Sequence, residues 1–154
     1  MYTPQEIIAI QKQKKEGKRI VALSGCFDLL HHGHLFLLRE AKEQGDVLVV
    51  FLNSDASVKR AKGESRPIKH EHERKEMLLA LRFVDHVVIF DDDTPLRLLE
   101  ELQPDVYCNG SDWGVRSIEK PALDRYGGVL HIIALQEGYS TTRIIDRIIK
   151  GNKQ

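Results

Sequence analysis

Cysteine is scarce in this 154-residue chain: Cys26 and Cys108 are the only two, too few and too isolated for a disulfide framework or a cysteine zinc site. Long apolar runs are missing as well. The longest, Val47 to Leu52, falls far short of the roughly 20 residues that cross a bilayer. The opening Met1-Tyr2-Thr3-Pro4-Gln5-Glu6 has neither the basic flank nor the apolar core of a signal peptide, so a cytoplasmic protein without a membrane partner is expected. Nor is one charge in excess. Lys and Arg total 23 and Asp and Glu total 23, giving a net charge of zero. That balance, with no aromatic-basic stacking surface, argues against a nucleic-acid partner but leaves room for a local anion site. No internal repeat or low-complexity tract is evident.

What is present is the balance of a folded domain. Hydrophobic residues make up 42% of the chain and charged residues 30%, and a chain of this length can bury a sizeable core without cross-links. A charged helical lead-in occupies residues 1–18, with Ile7, Ile8 and Ile10 expected to face inward. Five short apolar runs follow: Ile20 to Leu23, Val47 to Leu52, Val87 to Phe90, Val106-Tyr107 and Val129 to Ala134. Most lack polar alternation and are rich in β-branched residues, as strands covered on both faces should be.

Helical stripes separate these runs. They cover His34 to Glu43 (Leu35, Leu38, Ala41) and Glu71 to Val84 (Met77, Leu78, Leu81, Val84). A third, Thr94 to Leu102, has Thr94 as a cap and Pro95 at the first helical position. In the last, Thr141 to Lys150, Ile144, Ile145, Ile148 and Ile149 share one side. This alternation predicts a single α/β domain over residues 1–154, a Rossmann-like open sheet of about five parallel strands with helices on both faces, a three-layer sandwich. Val58 to His70, polar and carrying Lys59, Arg60, Lys62, Arg66 and Lys69, reads as a mobile basic loop. Asp91-Asp92-Asp93 lacks the further oxygen ligands of a calcium loop and reads as a turn.

The segment Gly25-Cys26-Phe27-Asp28-Leu29-Leu30-His31-His32-Gly33-His34 carries the chemistry. It joins the first strand to the next helix, where open parallel sheets gather ligands. Gly25 lets the backbone leave the strand sharply, and Gly33 lets a ligand approach the helix start closely. The helix directs free N–H groups and the positive end of its dipole at the same place. His31 and His34 flank Gly33 and can converge on the same oxygen atoms. A His-x-x-His spacing also permits zinc. Adjacent histidines on a tight turn tend to diverge, however, and no cysteine sits at ligand spacing, so phosphate handling is the expected role. A second cluster, Ser140-Thr141-Thr142, follows Gly138-Tyr139 at another helix start. Ordinary capping accounts for one of its hydroxyls, and a second phosphate cradle accounts for all three.

The stretch Gly25 to His34, centred on His31-His32-Gly33-His34, resembles the signature of the nucleotidylyltransferase superfamily, the cytidylyltransferase-like enzymes. Further pieces follow in order: Asn53-Ser54-Asp55, Lys62-Gly63-Glu64-Ser65-Arg66-Pro67, Glu73-Arg74, Arg82-Phe83-Val84-Asp85, Asp92-Asp93-Thr94-Pro95, Gly110-Ser111-Asp112-Trp113 and Glu137-Gly138-Tyr139-Ser140-Thr141-Thr142. The resemblance spans residues 19 to 150. Within the superfamily the combination is most similar to the adenylyltransferases that convert D-glycero-β-D-manno-heptose 1-phosphate to ADP-heptose. This implies transfer of an adenylyl group from ATP to a sugar 1-phosphate by direct in-line attack, with pyrophosphate released. One departure keeps an alternative open. Asn109-Gly110-Ser111-Asp112-Trp113 stands where the heptose enzymes usually carry a lysine and a tyrosine, and the tryptophan is more similar to glycerol-3-phosphate cytidylyltransferase. The alternative is therefore a CTP-dependent enzyme acting on a polyol phosphate; the non-enzyme alternative is a nucleotide-binding sensor.

The resemblance, with the local chemistry, implies roles for individual residues. His31, His34, Lys59 and Lys62 are the expected catalytic groups, the imidazoles on the α- and β-phosphates and the lysines on the loop that closes over them. Gly25, Cys26, Phe27, Gly33, Arg74, Asn109, Gly110, Asp112, Glu137, Tyr139, Ser140, Thr141 and Thr142 are expected at the nucleotide. For Arg74 the competing role is a salt bridge to Glu71 or Asp85. Asp28, Arg66 and Trp113 are expected at the acceptor, although Trp113 can equally lie as a lid over the core. Mg²⁺ is implied by the triphosphate, with Asp28 the best single ligand. Small-molecule substrates and a second copy of the chain are the expected partners, Arg82-Phe83-Val84 lying at the dimer seam. Cys26 and Cys108 end neighbouring strands and can approach each other, but no disulfide is expected in the cytoplasm.

Overall fold

The computed structural model describes residues 1–111, 117–134 and 138–151. Five strands, β1 (Ile20–Gly25), β2 (Val47–Asn53), β3 (His86–Phe90), β4 (Val106–Gly110) and β5 (Val129–Ile133), form one sheet in the order β3-β2-β1-β4-β5. Every neighbouring pair is parallel. The helices between and around them are α1 (Pro4–Lys15), α2 (His32–Lys42), α3 (Asp55–Lys62), α4 (Glu71–Leu79), α5 (Leu96–Leu102), α6 (Lys120–Tyr126) and α7 (Thr141–Gly151). The chain begins in the centre at β1, winds outward through β2 to β3, then returns to lay β4 on the other side of β1. The winding therefore reverses between β1 and β4, which opens a crevice at their carboxyl ends.

Successive residues of β1 enter different cores. Ile20 and Ala22 join Val47, Val49 and Phe51 on one face, under Ile7 and Ile10 of α1, Leu98, Leu99 and Leu102 of α5, and Leu123 of α6. Val21 and Leu23 join Leu48, Val50 and Leu52 on the other, under Leu38 and Ala41 of α2 and Leu78 of α4. With both faces covered, neither parity of the strand needs to be polar, which is why the strand sequences read as unbroken apolar runs. The expected three-layer α/β sandwich is what forms. No helix among the described residues is long and apolar enough to cross a membrane.

Four local expectations are corrected. Ile8 is 61% exposed, because it lies off the Ile7–Ile10 stripe on the solvent side of α1. The stretch from Val58 is not a loop at its start but continues α3. There Ser54 Oγ accepts from the Ser57 N–H at 3.0 Å, Asp55 sits at the positive end of the helix, and Lys59, Arg60 and Lys62 sit at the negative end. The third helical stripe starts later than expected. Pro95 accepts the Leu99 N–H at 2.8 Å and is itself the cap, leaving Thr94 outside. Finally, α4 stops at Leu79, and Leu81 and Val84 follow in a turn that bonds back through their N–H groups to Leu78 and Leu81. Cys26 and Cys108 are free thiols; burial pushes the Cys108 thiol up to about 12.

Candidate active site

The two histidines meet where β1 hands over to α2. His31 is the cap of α2, its Nδ1 accepting the His34 N–H at 3.4 Å. An accepting Nδ1 leaves the proton of the neutral ring on Nε2, so His31 presents an outward N–H donor. His34, one helical turn on, stacks its ring on that of His31 with centroids 3.7 Å apart. It also lies against Phe27, ring centroid to ring centroid 5.0 Å. Burial, then the charges of His31 and Lys62, hold the His34 pKa at about 3. Burial lowers the His31 pKa as well. Both imidazoles are thus neutral hydrogen-bonding groups at ordinary pH rather than cations.

The glycines of the motif make room for side chains. A Cβ on Gly25 would lie 2.8 Å from the Phe27 ring. Phe27 itself holds a left-handed backbone, φ 46°, a conformation that costs a bulky residue of order 1–3 kcal/mol and that concentrates at functional sites. A Cβ on Gly33 would meet the His31 ring and Tyr139 Cβ, each at 3.1 Å. That close approach seats the segment before α7 on the start of α2. His32 and Tyr139 bring their rings to 5.0 Å, and Thr141 Oγ1 reaches the Leu29 carbonyl at 3.5 Å. Ser140 caps α7, accepting the Arg143 N–H at 3.2 Å. Tyr139 and Thr142 are exposed. The two helix starts therefore lie side by side, with His31 between them.

Arg74 and Asp28 are placed behind this surface. Arg74, with none of its side chain exposed, donates to the Cys26 carbonyl at 2.6 Å, the Lys69 carbonyl at 3.0 Å and Asp55 Oδ1 at 2.8 Å. Its fork is filled by protein, and its carboxylate partner is Asp55 rather than Glu71 or Asp85. Asp28, 2% exposed, accepts the Ile68 and Lys69 N–H groups on Oδ1 at 2.8 and 3.0 Å, while its Oδ2 lies 3.0 Å from Arg66 Nε. Asp28 thus fastens the segment after α3 onto the β1–α2 turn. Its Oδ1 is engaged, whereas its buried Oδ2 has the Arg66 ion pair but no hydrogen bond, and among the described residues no group of three or more His, Cys, Asp or Glu is placed to hold a metal. Asp28 Oδ2 is thus the oxygen that would be left to a Mg²⁺ ion arriving with a triphosphate.

Lys62 and His34 line a cavity of about 540 Å³ over the carboxyl ends of β1 and β4, with Gly25, Cys26, Asn109 and Gly110 also in its wall. Lys59 instead faces Glu64 at 3.8 Å. Asn109 is buried and donates to Ser117 Oγ at 2.8 Å and Glu119 Oε2 at 3.2 Å. Of the expected residues, Asp112, Trp113 and Glu137 lie outside the described residues. Sequence reasoning missed Asp55, which anchors Arg74, and the buried Ser117–Glu119 pair. Asp55 had a signal, the Ser54-Asp55 helix start. Ser117 and Glu119 had none, since their burial depends on how the chain returns from β4 to α6.

Comparison with known proteins bears on the whole of this arrangement. Residues 22–147 match the cytidylyltransferase-like family. The Bifunctional protein HldE of Geobacter metallireducens is 51% identical over 142 residues, which is 92% of this chain and 29% of that protein. HldE of Campylobacter jejuni is 47% identical over 144 residues, 94% of this chain and 30% of that protein. The chain spans about three tenths of the length of these relatives. The crystal structure of the lipopolysaccharide core biosynthesis protein from Thermoplasma volcanium superposes with a TM-score of 0.66 at 28% identity, covering 80% of this chain and all of that one. Pantoate-beta-alanine ligase from Francisella tularensis shares the fold, with a TM-score of 0.61 at 14% identity over 96% of this chain and 77% of its own. The matched segment runs from the middle of β1 into α7 and holds both histidines and both helix starts, and on that ground the chain belongs to the cytidylyltransferase-like family.

Proposed function

We propose that this chain transfers an adenylyl group from ATP to a sugar 1-phosphate, D-glycero-β-D-manno-heptose 1-phosphate first among the candidates, releasing pyrophosphate. The observation that carries this reading is the stacked pair His31 and His34 at the start of α2, with the start of α7 packed beside it. Two helix starts side by side and two stacked imidazoles, one facing each of two adjoining cavities, offer an anion several fixed donors. The likeness to HldE proteins and to a lipopolysaccharide core biosynthesis protein supports a surface-glycan precursor as the product.

The chemistry asks little of the protein beyond placement. An oxygen of the acceptor phosphate attacks the α-phosphorus, and the bond to the bridging oxygen breaks as pyrophosphate departs with that electron pair. A phosphate monoester is already ionised near neutral pH, so neither a protein base nor a covalent intermediate is needed. The barrier lies in bringing two polyanions together and stabilising charge on the equatorial oxygens. His31 supplies a neutral donor at Nε2, and His34, kept neutral by burial, supplies a second without the cost of charging a buried ring. Lys62, which has no carboxylate within ion-pair distance among the described residues, brings the positive charge beside His34. Mg²⁺ enters as the companion of the triphosphate substrate.

Pyrophosphate release from each of the four nucleoside triphosphates, with a panel of phosphate acceptors, tests the proposal. ATP with heptose 1-phosphate is expected to give the highest rate. Turnover with CTP and glycerol 3-phosphate and none with ATP would reverse the substrate assignment. Tight ATP binding with no acceptor-dependent release would make the chain a sensor.

A further inference from the structure

Two cavities flank the histidine pair, and their linings differ in charge. One, of about 470 Å³, lies between His31 and the outer face of α7 and carries Arg143, Arg147 and Lys150 against a single carboxylate, Asp146. A polyphosphate tail suits that wall. The other, of about 540 Å³, has His34 and Lys62 in its lining together with Asn109 of β4 and Glu119, and with Asp93 and Thr94 from the segment after β3. One part of this cavity suits a phosphate; another is set with hydrogen-bond acceptors.

Glu119 is the unusual member. It is 6% exposed, and among the described residues no cation pairs with it. Instead its Oε2 accepts from Asn109 Nδ2 and from Ser117 Oγ, and Asn109 also donates to Ser117 Oγ, closing a three-residue network. The charge is felt locally, adding to burial in pushing the Tyr107 hydroxyl pKa up. Burying a carboxylate without a cation is costly, and a packed apolar side chain would serve structure better. A carboxylate fixed by neutral donors at a cavity wall does have a use toward one kind of ligand. Hydroxyl groups donate to it in charge-assisted hydrogen bonds that an apolar wall cannot offer.

Resting on the transfer proposed above, we infer that Glu119, oriented by Asn109 and Ser117, binds hydroxyls of a polyhydroxy acceptor whose phosphate lies at His34 and Lys62. The ligand class is thus a phosphorylated polyol or sugar rather than a simple phosphate ester. Glu119 is its specificity residue. A site built to bond hydroxyls rejects analogues that lack them, because its own buried polar groups are then left unpaired.

The test compares wild type with Glu119→Gln, which keeps the side-chain length and an oxygen for Asn109 and Ser117; thermal melting verifies that the variant folds. With heptose 1-phosphate as acceptor and ATP saturating, the variant is expected to show a KM at least tenfold higher, with the KM for ATP within twofold. With methyl phosphate, which has no hydroxyls to read, the two proteins are expected to have equal kcat/KM. An unchanged KM for the heptose phosphate, or equal losses on both acceptors, overturns the inference and leaves Glu119 a structural residue. Failure of the underlying reading looks different: the wild type would release no pyrophosphate with any acceptor. Calorimetric titration of heptose 1-phosphate into both proteins then decides, a tenfold weaker affinity in the variant supporting the inference and equal affinities overturning it.

Discussion

The rings of His31 and His34 stack 20° from parallel at a centroid distance of 3.7 Å, and this contact governs what either can do. Two imidazoles so close cannot both carry charge cheaply, and burial removes the remaining incentive. In the proposed transfer the pair would therefore act through oriented N–H groups, whose value would lie in the transition state, where charge moves toward the leaving group. Replacing either ring by alanine is expected to lower kcat for nucleotidyl transfer by two to three orders of magnitude, about 3 kcal/mol. The KM for ATP should change far less. The double replacement should cost less than the product of the two, because the second ring loses its stacking partner with the first. Steady-state kinetics on the three variants checks each statement.

Burial of His34 also writes itself into stability. Its pKa falls from 6.5 to about 3 on folding, through desolvation first and the charges of His31 and Lys62 after it. Between those two values the unfolded chain holds a proton that the folded protein refuses, so unfolding takes up protons and stability declines as pH drops through that window. Above it the contribution is fully present. One such group changes the slope by at most about 1.4 kcal/mol per pH unit. Urea unfolding of wild type and His34→Asn between pH 4 and 7 should therefore give curves that converge toward acid, the variant declining less steeply. Parallel curves would mean that the ring titrates normally.

The parallel sheet was legible because its cause is local: β-branched apolar runs such as Val47 to Leu52 have few other places to go than a strand covered on both faces. The histidine motif was legible for the same reason, since His31 and His34 are fixed by one helix start. What the sequence concealed depends on partners far along the chain. Arg74 read as a surface fork that could reach a phosphate, yet its bonds go to residues 5, 19 and 48 positions away. Asp28 offered a carboxylate beside the histidines, and only the return of residues 66–69 over it shows that Oδ1 is taken by two amides while Oδ2 faces a guanidinium. α3 hid because capping and charge build it with a single buried hydrophobic, Val58, so no apolar period announces it.

Arg74 ties together three segments that carry site residues: the β1–α2 turn through Cys26, the start of α3 through Asp55, and the end of the basic segment through Lys69. Arg74→Met would leave the partly exposed Asp55 without its cation and two carbonyls without a donor. A loss of roughly 3 kcal/mol is expected, at the lower edge of the range for breaking a buried pair. Arg74→Lys should recover only a small part, because one ammonium cannot span three directions as a planar fork does. Guanidinium chloride unfolding measures both. Loss of activity without loss of stability would instead return Arg74 to the nucleotide.

Asp28 invites the sharpest separation of a structural from a metal role. Its Oδ1 holds the Ile68 and Lys69 amides at 2.8 and 3.0 Å, and its Oδ2 faces Arg66 at 3.0 Å. If its work is to fasten this segment, Asp28→Ala should release those two amides while leaving the rest of the sheet closed. Hydrogen exchange at Ile68 and Lys69 is expected to quicken at least tenfold, equivalent to about 1.4 kcal/mol of local protection. The Mg²⁺ concentration giving half-maximal rate should stay where it is in the wild type, since the ion comes with the triphosphate. The opposite pair of results, unchanged amide exchange with a raised Mg²⁺ requirement, would show that the carboxylate leaves its backbone partners to bind the ion when substrate arrives. Because the two readouts move independently, one variant decides between the clasp and the ligand.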